Sequence, residues 1–362
     1  MKIAFYGSSL LSSYWNGAAT YYRGMLKALA ARGHDIVFYE PDAFDRQAHR
    51  DIEPPGWAES VVYRAHADDV ARVVARAAEA DIVVKASGVG VFDDMLLSGI
   101  LAHSSQGALR IFWDVDAAAT LDEMAAAPDH PVRRALPRLD AVLTYGGGPP
   151  VISAYRGLGA RSCHAIYNAA DPETHHPSPP DPRFGGDLGF LANRLPDREA
   201  RVEEFFLRPA TILPERRFTL GGNGWETRML PANVARLGHV GTADHNAFNT
   251  SPRAVLNVAR DSMARFGWSP ATRVFEAAAA GACLISDDWD GIEDFFRPGR
   301  EILVARDGGD VAEIVRTLTP ARAAAIGEAA RARLLAVHTY DRRAAEFDGI
   351  LARLGRTTEL IP

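Results

Sequence analysis

The residues best suited to chemistry lie in the stretch 269–288, where a predicted helix runs directly into a predicted strand. A Ser-Pro pair is a typical helix start, and Gly281 is a typical stop. Glu276 lies about two turns into this helix among apolar residues, where a carboxylate needs a partner because an unpaired buried charge is costly. The hydroxyl groups of a sugar would provide one, while the unpaired N–H groups at the helix start would attract a phosphate. The alternative is that Glu276 lies at the solvent edge of the helix and pairs with Arg273.

A second set of carboxylates, Asp114 and Asp116, follows the strongly apolar strand predicted over 109–113. Because alternate residues of an extended segment point the same way, both side chains would face one side of the sheet edge. One of them could act as a general base or bind the hydroxyl groups of a second substrate. The alternative is that Asp116 caps a helix that begins near Ala117.

Two arginines, Arg194 and Arg198, follow the first strand of the second half of the chain. A planar guanidinium can engage two oxygens of a diphosphate, so this pair suits diphosphate binding. Surface ion pairs with Asp197 or Glu199 are the alternative. The glycine-rich run 221–224 would let the backbone approach a ligand, or would form a plain turn.

Two further segments could border a ligand. His239 and Val240 end another predicted strand, where a backbone edge could contact a nucleotide base, although a single histidine is more often structural. The loop 7–17 lacks the GxGxxG spacing and the acidic ribose residue of a nicotinamide site. Gly17, at a helix start, would still let the backbone approach a phosphate.

Histidines and cysteines give no sign of a metal site. The eleven histidines show no metal-ligand spacing, and the adjacent His175 and His176 in a proline-rich segment are expected in solvent. Cys163 and Cys283 lie far apart in apolar contexts, which indicates buried, reduced thiols. Reduced thiols favour a cytoplasmic protein.

The composition is that of an ordinary globular protein, with 47% hydrophobic and 24% charged residues and a formal net charge of −6. This charge gives no basic field, so nucleic acid is not an expected partner. The chain opens with a strand pattern rather than a signal peptide, and no apolar run approaches the ~20 residues that span a bilayer. Contact with a membrane surface and the oligomeric state stay open.

The elements that must position these residues alternate between strand and helix. The pattern begins with a strand over 2–6, a helix over 17–32 and a strand over 35–39, which is a parallel βαβ unit. Because 362 residues exceed one hydrophobic core, we expect two α/β domains with ligands at the carboxyl ends of their strands. The expected division is a first domain over 1–170, a proline-rich hinge over 171–186, a second domain over 187–340 and a final helical segment over 341–362.

The segment 257–296, NVARDSMARFGWSPATRVFEAAAAGACLISDDWDGIEDFF, resembles the donor-binding core of GT-B glycosyltransferases, most closely the CgeB-like (spore-maturation protein-like) group. Further pieces agree in order, including FWDVDAAATL, IYNAADPETHHP, GHVGTADHNAFN and HTYDRRAAEF, so the resemblance spans most of the chain. It implies an α/β architecture of two Rossmann-like doubly wound domains that face each other across a cleft. It also implies that the C-terminal helix crosses back to the first domain.

By this resemblance, the second domain binds a nucleotide-diphospho-sugar. Glu276 would bind the ribose hydroxyl groups, and backbone groups of Ala271 and Thr272 would meet the diphosphate, helped by Arg194 and Arg198. The complete donor-binding set expected from the resemblance and from the glycine-rich run is Gly17, Arg194, Arg198, Gly222, Gly238, His239, Val240, Ala271, Thr272, Arg273 and Glu276.

One position departs from the family pattern. Many related retaining transferases carry a second glutamate eight residues before Glu276, and this chain has Trp268 there. Whether the reaction retains or inverts configuration is therefore open. Arg273 is a candidate substitute contact for the donor sugar.

The resulting hypothesis is a metal-independent glycosyltransferase without a cofactor, which moves a sugar from a nucleotide sugar to a saccharide, protein or small-molecule acceptor. Asp116, with Asp114 beside it, is the expected catalytic residue on the acceptor side. The residues 114–116 read DxD, but they lie in the first domain, away from the expected donor site. A nucleotide-sugar epimerase on the same fold and a non-catalytic binding protein are the alternatives.

Overall fold

The computed structural model describes residues 1–14 and 16–358, which form two compact units. The first unit contains Met1–Tyr167 together with the final helix of the chain, and the second is Asn168–Thr339. The proline-rich segment 171–186, interpreted above as a hinge, lies inside the second unit. No helix in the described part of the chain combines the length and apolar character that crossing a membrane requires.

Seven parallel strands form the sheet of the first unit, in the order β3-β2-β1-β4-β5-β6-β7. The central strands are buried along almost their whole length, as expected for a parallel sheet covered by helices on both faces. The strands are β1 (Lys2–Tyr6), β2 (Asp35–Asp42), β3 (Glu59–Arg64), β4 (Ile82–Ala86), β5 (Leu109–Asp114), β6 (Ala141–Thr144) and β7 (Cys163–Ala165). The helices are α1 (Ala19–Ala31), α2 (Ala67–Ala75), α3 (Asp93–His103), α4 (Ala117–Ala126), α5 (Pro131–Ala135) and α6 (Gly148–Gly157).

Six parallel strands form the sheet of the second unit, in the order β10-β9-β8-β11-β12-β13. The strands are β8 (Gly186–Leu191), β9 (Phe218–Gly221), β10 (Val234–Gly238), β11 (Pro252–Asn257), β12 (Leu284–Asp287) and β13 (Leu303–Ala305). The helices are α7 (Pro196–Val202), α8 (Arg208–Ile212), α9 (His245–Thr250), α10 (Asp261–Phe266), α11 (Thr272–Ala279), α12 (Gly308–Thr317) and α13 (Pro320–Val337). Apolar side chains such as Leu188, Phe206 and Phe218 form its core.

The final helix, α14 (Tyr340–Thr358), belongs to the first unit, as the predicted crossing requires. Asp348 accepts a hydrogen bond of 2.6 Å from Arg32 Nε. The ring of Tyr340 lies so close to α1 that a Cβ on Gly24 would come within 2.1 Å of it, so only glycine fits there. Residues 359–362 of the predicted terminal segment lie outside the described residues.

The chain leaves the first unit and returns to it at neighbouring points. Within the first unit, Arg343 Nε donates to the carbonyl oxygen of Tyr167 at 3.1 Å. Within the second unit, the Ala170 N–H donates to His338 O at 3.1 Å, and Ala170 forms a parallel bridge with Thr339. The second unit is therefore an insertion into the first.

Candidate functional site

The carboxyl ends of β8, β9 and β10 lie at one edge of the second sheet, and α11 begins beside the same edge. Ala271 is the N-cap residue of α11, and its methyl side chain offers no cap, so the first N–H groups depend on other partners. Asn168, which is buried, fixes this helix start. Its Nδ2 donates to Pro270 O at 3.2 Å, and its Oδ1 accepts from Thr272 Oγ1 at 3.3 Å.

Glu276 is 9% exposed on α11, which agrees with the predicted buried carboxylate. Its Oε1 lies 3.6 Å from Nε2 of His175, and this imidazole is only 4% exposed. The expectation that His175 lies in solvent is therefore wrong, whereas its neighbour His176 is exposed. The burial comes from residues distant in sequence, which a proline-rich segment does not reveal.

A second imidazole, that of His245 on α9, interacts electrostatically with Glu276. Burial lowers the pKa of His245, although the Glu276 carboxylate and a hydrogen bond to the Val240 backbone oppose that shift. Glu276 thus interacts with two imidazoles, and burial disfavours the charged form of that of His245. Sequence reasoning missed both histidines.

Two guanidinium groups lie near Glu276, since Arg273 interacts electrostatically with both Arg198 and Glu276. Arg198 is 9% exposed, and its Nη2 donates to Asn193 O at 2.7 Å, while its buried Nε has no hydrogen-bond partner among the described residues. Arg273 lies over the Phe190 ring at 5.5 Å, and its buried Nη1 also has no partner within the part of the chain described.

The electrostatics of this arginine pair are unfavourable without a ligand. Burial, followed by repulsion from Arg198, lowers the pKa of Arg273 to about 9, against the attraction of Glu276. Burial likewise lowers the pKa of Arg198. Two cations, each with a buried nitrogen that no described residue fills, form a site that an anion with several oxygens would complete.

The two predicted arginines behave differently. Arg194 forms a two-contact ion pair with Glu199, with its Nε 3.1 Å from Oε2, which is the surface-pair alternative raised by the sequence. Arg198, in the first turn of α7, is buried instead, and it interacts electrostatically with Arg273.

Gly222 connects the loops at the edge of this sheet. Its φ is +117°, and a Cβ would lie 2.1 Å from Ala192 O, so only glycine allows the two loops to approach. Its N–H donates to Gly238 O at 2.7 Å. The next residues, His239 and Val240, are exposed and buried respectively.

Trp268, at the position of the missing glutamate, is held by its own loop. Its φ is +41°, its N–H donates to Asp290 O at 2.6 Å, and its Nε1 donates to Asp294 Oδ2 at 2.7 Å. The indole therefore has a fixed orientation.

In the first unit, Asp114 is completely buried at the end of β5. Its oxygens accept hydrogen bonds from Ser87 Oγ at 2.7 Å, from the Thr120 hydroxyl at 3.0 Å and from the Tyr155 hydroxyl. Burial raises its pKa, although these hydrogen bonds oppose the shift. A carboxylate enclosed in this way fixes the loop after β5 and has no access to a substrate in this conformation.

Asp116 is the N-cap residue of α4, but its side chain makes no capping hydrogen bond. Its N–H donates to Asp114 Oδ1 at 3.0 Å, so the buried carboxylate sets the position of Asp116. The side chain is half-buried at the sheet edge.

Gly17 precedes α1, and a Cβ placed there would meet nothing within 4 Å. Local packing therefore does not require glycine at this position. The preceding loop is held by the buried Glu40, which accepts hydrogen bonds from the Ser9 hydroxyl at 3.0 Å and from the Leu10 N–H at 2.5 Å.

Among residues 1–14 and 16–358, no three His, Cys, Asp or Glu side chains are grouped closely enough to hold a metal ion.

Comparisons with known proteins concern the family and the fold of the chain. Residues 198–349 match a sequence family described as "Glycosyl transferase-like", and no curated protein matches the chain. Sucrose-phosphate synthase from Thermosynechococcus elongatus is similar at 13% identity and a TM-score of 0.69, over 99% of this chain and 100% of that chain. HepE from Anabaena, in complex with UDP and glucose, is similar at 16% identity and a TM-score of 0.70, over 97% of this chain and 99% of that chain.

A third similar structure is the DNA-modifying enzyme beta-glucosyltransferase, at 12% identity and a TM-score of 0.60, over 98% of this chain and 99% of that chain. Likeness over nearly the whole length of each chain shows the fold. It confirms the predicted architecture of two Rossmann-like α/β domains of the GT-B type.

Proposed function

We propose that the protein is a GT-B glycosyltransferase of the hexosyltransferase type, related to the CgeB-like group, which takes a sugar from a nucleotide-diphospho-sugar. The observation that carries the proposal is a pair of guanidinium groups near the buried carboxylate of Glu276, those of the buried Arg198 and the half-buried Arg273, each with a buried nitrogen that no described residue fills. This combination matches two parts of a nucleoside diphosphate, the anionic diphosphate and the ribose diol. HepE structures contain UDP or UDP-glucose, which makes a uridine nucleotide the first candidate.

In this proposal the diphosphate oxygens take the unfilled donors of Arg198 and Arg273 and the N–H groups at the start of α11. The ribose hydroxyl groups donate to Glu276, and the backbone at 238–240 borders the base. Negative charge grows on the diphosphate as the bond to the sugar breaks, so cations already in place stabilise the transition state. The arginines thus take the charge-neutralising role that a metal ion has in other transferases, and we propose that no metal or cofactor is needed.

The acceptor hydroxyl oxygen attacks the anomeric carbon, and the electron pair of the breaking bond passes to the nucleotide diphosphate. In an inverting reaction the hydroxyl proton passes to a protein base, and Asp116 is the proposed base. In a retaining reaction the donor phosphate can take the proton.

A Cβ placed on Gly17 would meet nothing within 4 Å, and Gly17 is proposed to approach the phosphate through its backbone.

Binding of nucleotides to a Glu276→Ala variant tests the ribose assignment. Losing hydrogen bonds to a charged group should cost about 1.5–3 kcal/mol, or roughly 10- to 150-fold in the dissociation constant of UDP. Glu293→Ala, at an exposed glutamate of the same unit, is the matched control and should bind normally. Unchanged UDP affinity in a well-folded Glu276→Ala protein would contradict the assignment.

Turnover in excess EDTA tests metal independence. The arginine pair predicts that turnover of a UDP-sugar persists. Complete loss on chelation, restored by Mg²⁺ or Mn²⁺, would show that a metal handles the diphosphate.

A further inference from the structure

We propose that His175 is a positioning residue that orients Glu276 for the ribose hydroxyl groups, so that losing its Nε2 removes ribose recognition while the rest of the nucleotide still binds. This inference rests on the proposed function, because it concerns the same donor site. It assigns a role to a histidine in the segment that enters the second unit, outside the donor-binding set expected from the sequence.

The backbone around His175 is fixed on both sides. The N–H groups of Thr174 and His175 both donate to Asp171 O, at 3.1 and 2.8 Å, which forms a tight turn. Asn246 of α9 then binds the flanking residues, since its Nδ2 donates to Thr174 O at 2.9 Å and its Oδ1 accepts from the His176 N–H at 3.3 Å. The backbone that carries the imidazole is therefore held on both sides of His175.

The contact with Glu276 explains why this buried position holds an imidazole. His175 is 4% exposed, and its Nδ1 has no hydrogen-bond partner among the described residues, which costs stability. A phenylalanine would fill the same space without that cost. What the imidazole adds is Nε2, which lies 3.6 Å from Glu276 Oε1.

The geometry leaves Glu276 able to bind a ligand. At 3.6 Å the contact is longer than a hydrogen bond, so it attracts one carboxylate oxygen without occupying its lone pairs. Among the described residues, His245 and Arg273, both from helices of the same unit, also interact electrostatically with this carboxylate. His175 reaches it from outside these helices, and in this proposal it restricts the rotamers of a side chain that has three rotatable bonds.

The test compares UDP with 2′,3′-dideoxy-UDP by titration calorimetry on the full-length protein. The wild type should bind UDP at least tenfold more tightly than the dideoxy nucleotide. Two variants remove Nε2: His175→Phe keeps a ring, and His175→Asn has a shorter amide that does not reach the Nε2 position. Each should reduce the ratio of UDP affinity to dideoxy-UDP affinity at least fivefold, while the affinity for dideoxy-UDP stays within twofold of wild type. His175→Gln, whose amide reaches that position, should keep the ratio within twofold, and His176→Ala is the matched control.

A merely structural role would weaken both nucleotides equally in the folded variants, and that result would overturn the proposal. An unchanged ratio in His175→Phe and His175→Asn would also overturn it. Glu276→Ala separates this inference from the proposed function. If Glu276→Ala leaves the preference for UDP over dideoxy-UDP unchanged, the ribose assignment itself fails. If Glu276→Ala abolishes this preference while His175→Phe and His175→Asn keep it, only the role of His175 fails.

Discussion

Replacement of Arg273 by methionine should make the ligand-free protein more stable and its nucleotide binding weaker. Arg273 is half-buried with a buried Nη1, and burial, followed by repulsion from Arg198, lowers the pKa of its guanidinium to about 9. A cation whose pKa is lower in the folded state than in the unfolded state is charged in both states below pH 9. Its full cost is therefore present at pH 7 and declines only as the pH rises from about 9 toward the ordinary arginine pKa.

The size of the effect follows from the same pKa. The fall from the ordinary arginine pKa to about 9 corresponds to about 5 kcal/mol at 1.36 kcal/mol for each pH unit. The contact with the Phe190 ring at 5.5 Å returns roughly 0.5–2 kcal/mol, and solvent relaxation around the site reduces the rest. We expect Arg273→Met to stabilise the second unit by about 2 kcal/mol, or roughly 4–8 °C in Tm.

Calorimetric melting at pH 7, with and without UDP, checks both halves of this prediction. The buffer must lack phosphate and sulfate, because those anions would occupy the site and stabilise the wild type. Arg265→Met is the matched control, since Arg265 is exposed and also lies over a phenylalanine ring, at 5.3 Å. A less stable Arg273→Met protein that keeps the full UDP-induced shift would refute the interpretation of this arginine as a strained anion ligand.

Three further predictions concern the first unit and its acceptor side. Asp116→Asn should lower turnover about a hundredfold or more with UDP affinity intact, as measured by initial rates and calorimetry, if the reaction uses a protein base. Asp114→Asn mimics the protonated acid that burial favours, so initial rates should stay within about threefold of wild type; a loss comparable to that of Asp116→Asn would mean that Asp114 takes part in the chemistry. Burial tends to raise the pKa of Asp51, but hydrogen bonds from Arg23 lower it to about 2, so Asp51→Asn should cost roughly 1–2 kcal/mol at pH 7. That deficit should shrink as the pH falls from about 4 toward 2, and a deficit in urea unfolding that is independent of pH would contradict the ion pair.

The alternation of apolar strands and helices was sufficient to predict the two parallel sheets. β1 begins and ends where the sequence places it, because a central strand covered on both faces is apolar throughout. The edge strand β3 was missed, since its residues are mostly half-buried or exposed and its pattern resembles a loop. Periodicity detects burial, and an edge strand has little of it.

The site was predictable where a residue's own helix or strand decides its position. Glu276 lies on a helix with a clear start and stop, so its burial could be inferred. Which of Arg194 and Arg198 is buried and which forms a surface ion pair depends on where α7 begins. Local propensity does not predict the start of a helix to within one turn. The burial of His175 depends on contacts with residues about 70 and 100 positions away, and a single sequence gives no signal for such contacts.

The insertion of the second unit has a consequence for how the molecule can be divided. Because Ala170 pairs with Thr339, a protein consisting of 168–339 would have its two termini side by side. A short loop could join them, and new termini could then be opened elsewhere by circular permutation. A cut at the proline-rich segment, by contrast, would remove Asn168 and His175, and with them the contacts that hold the start of α11 and the carboxylate of Glu276.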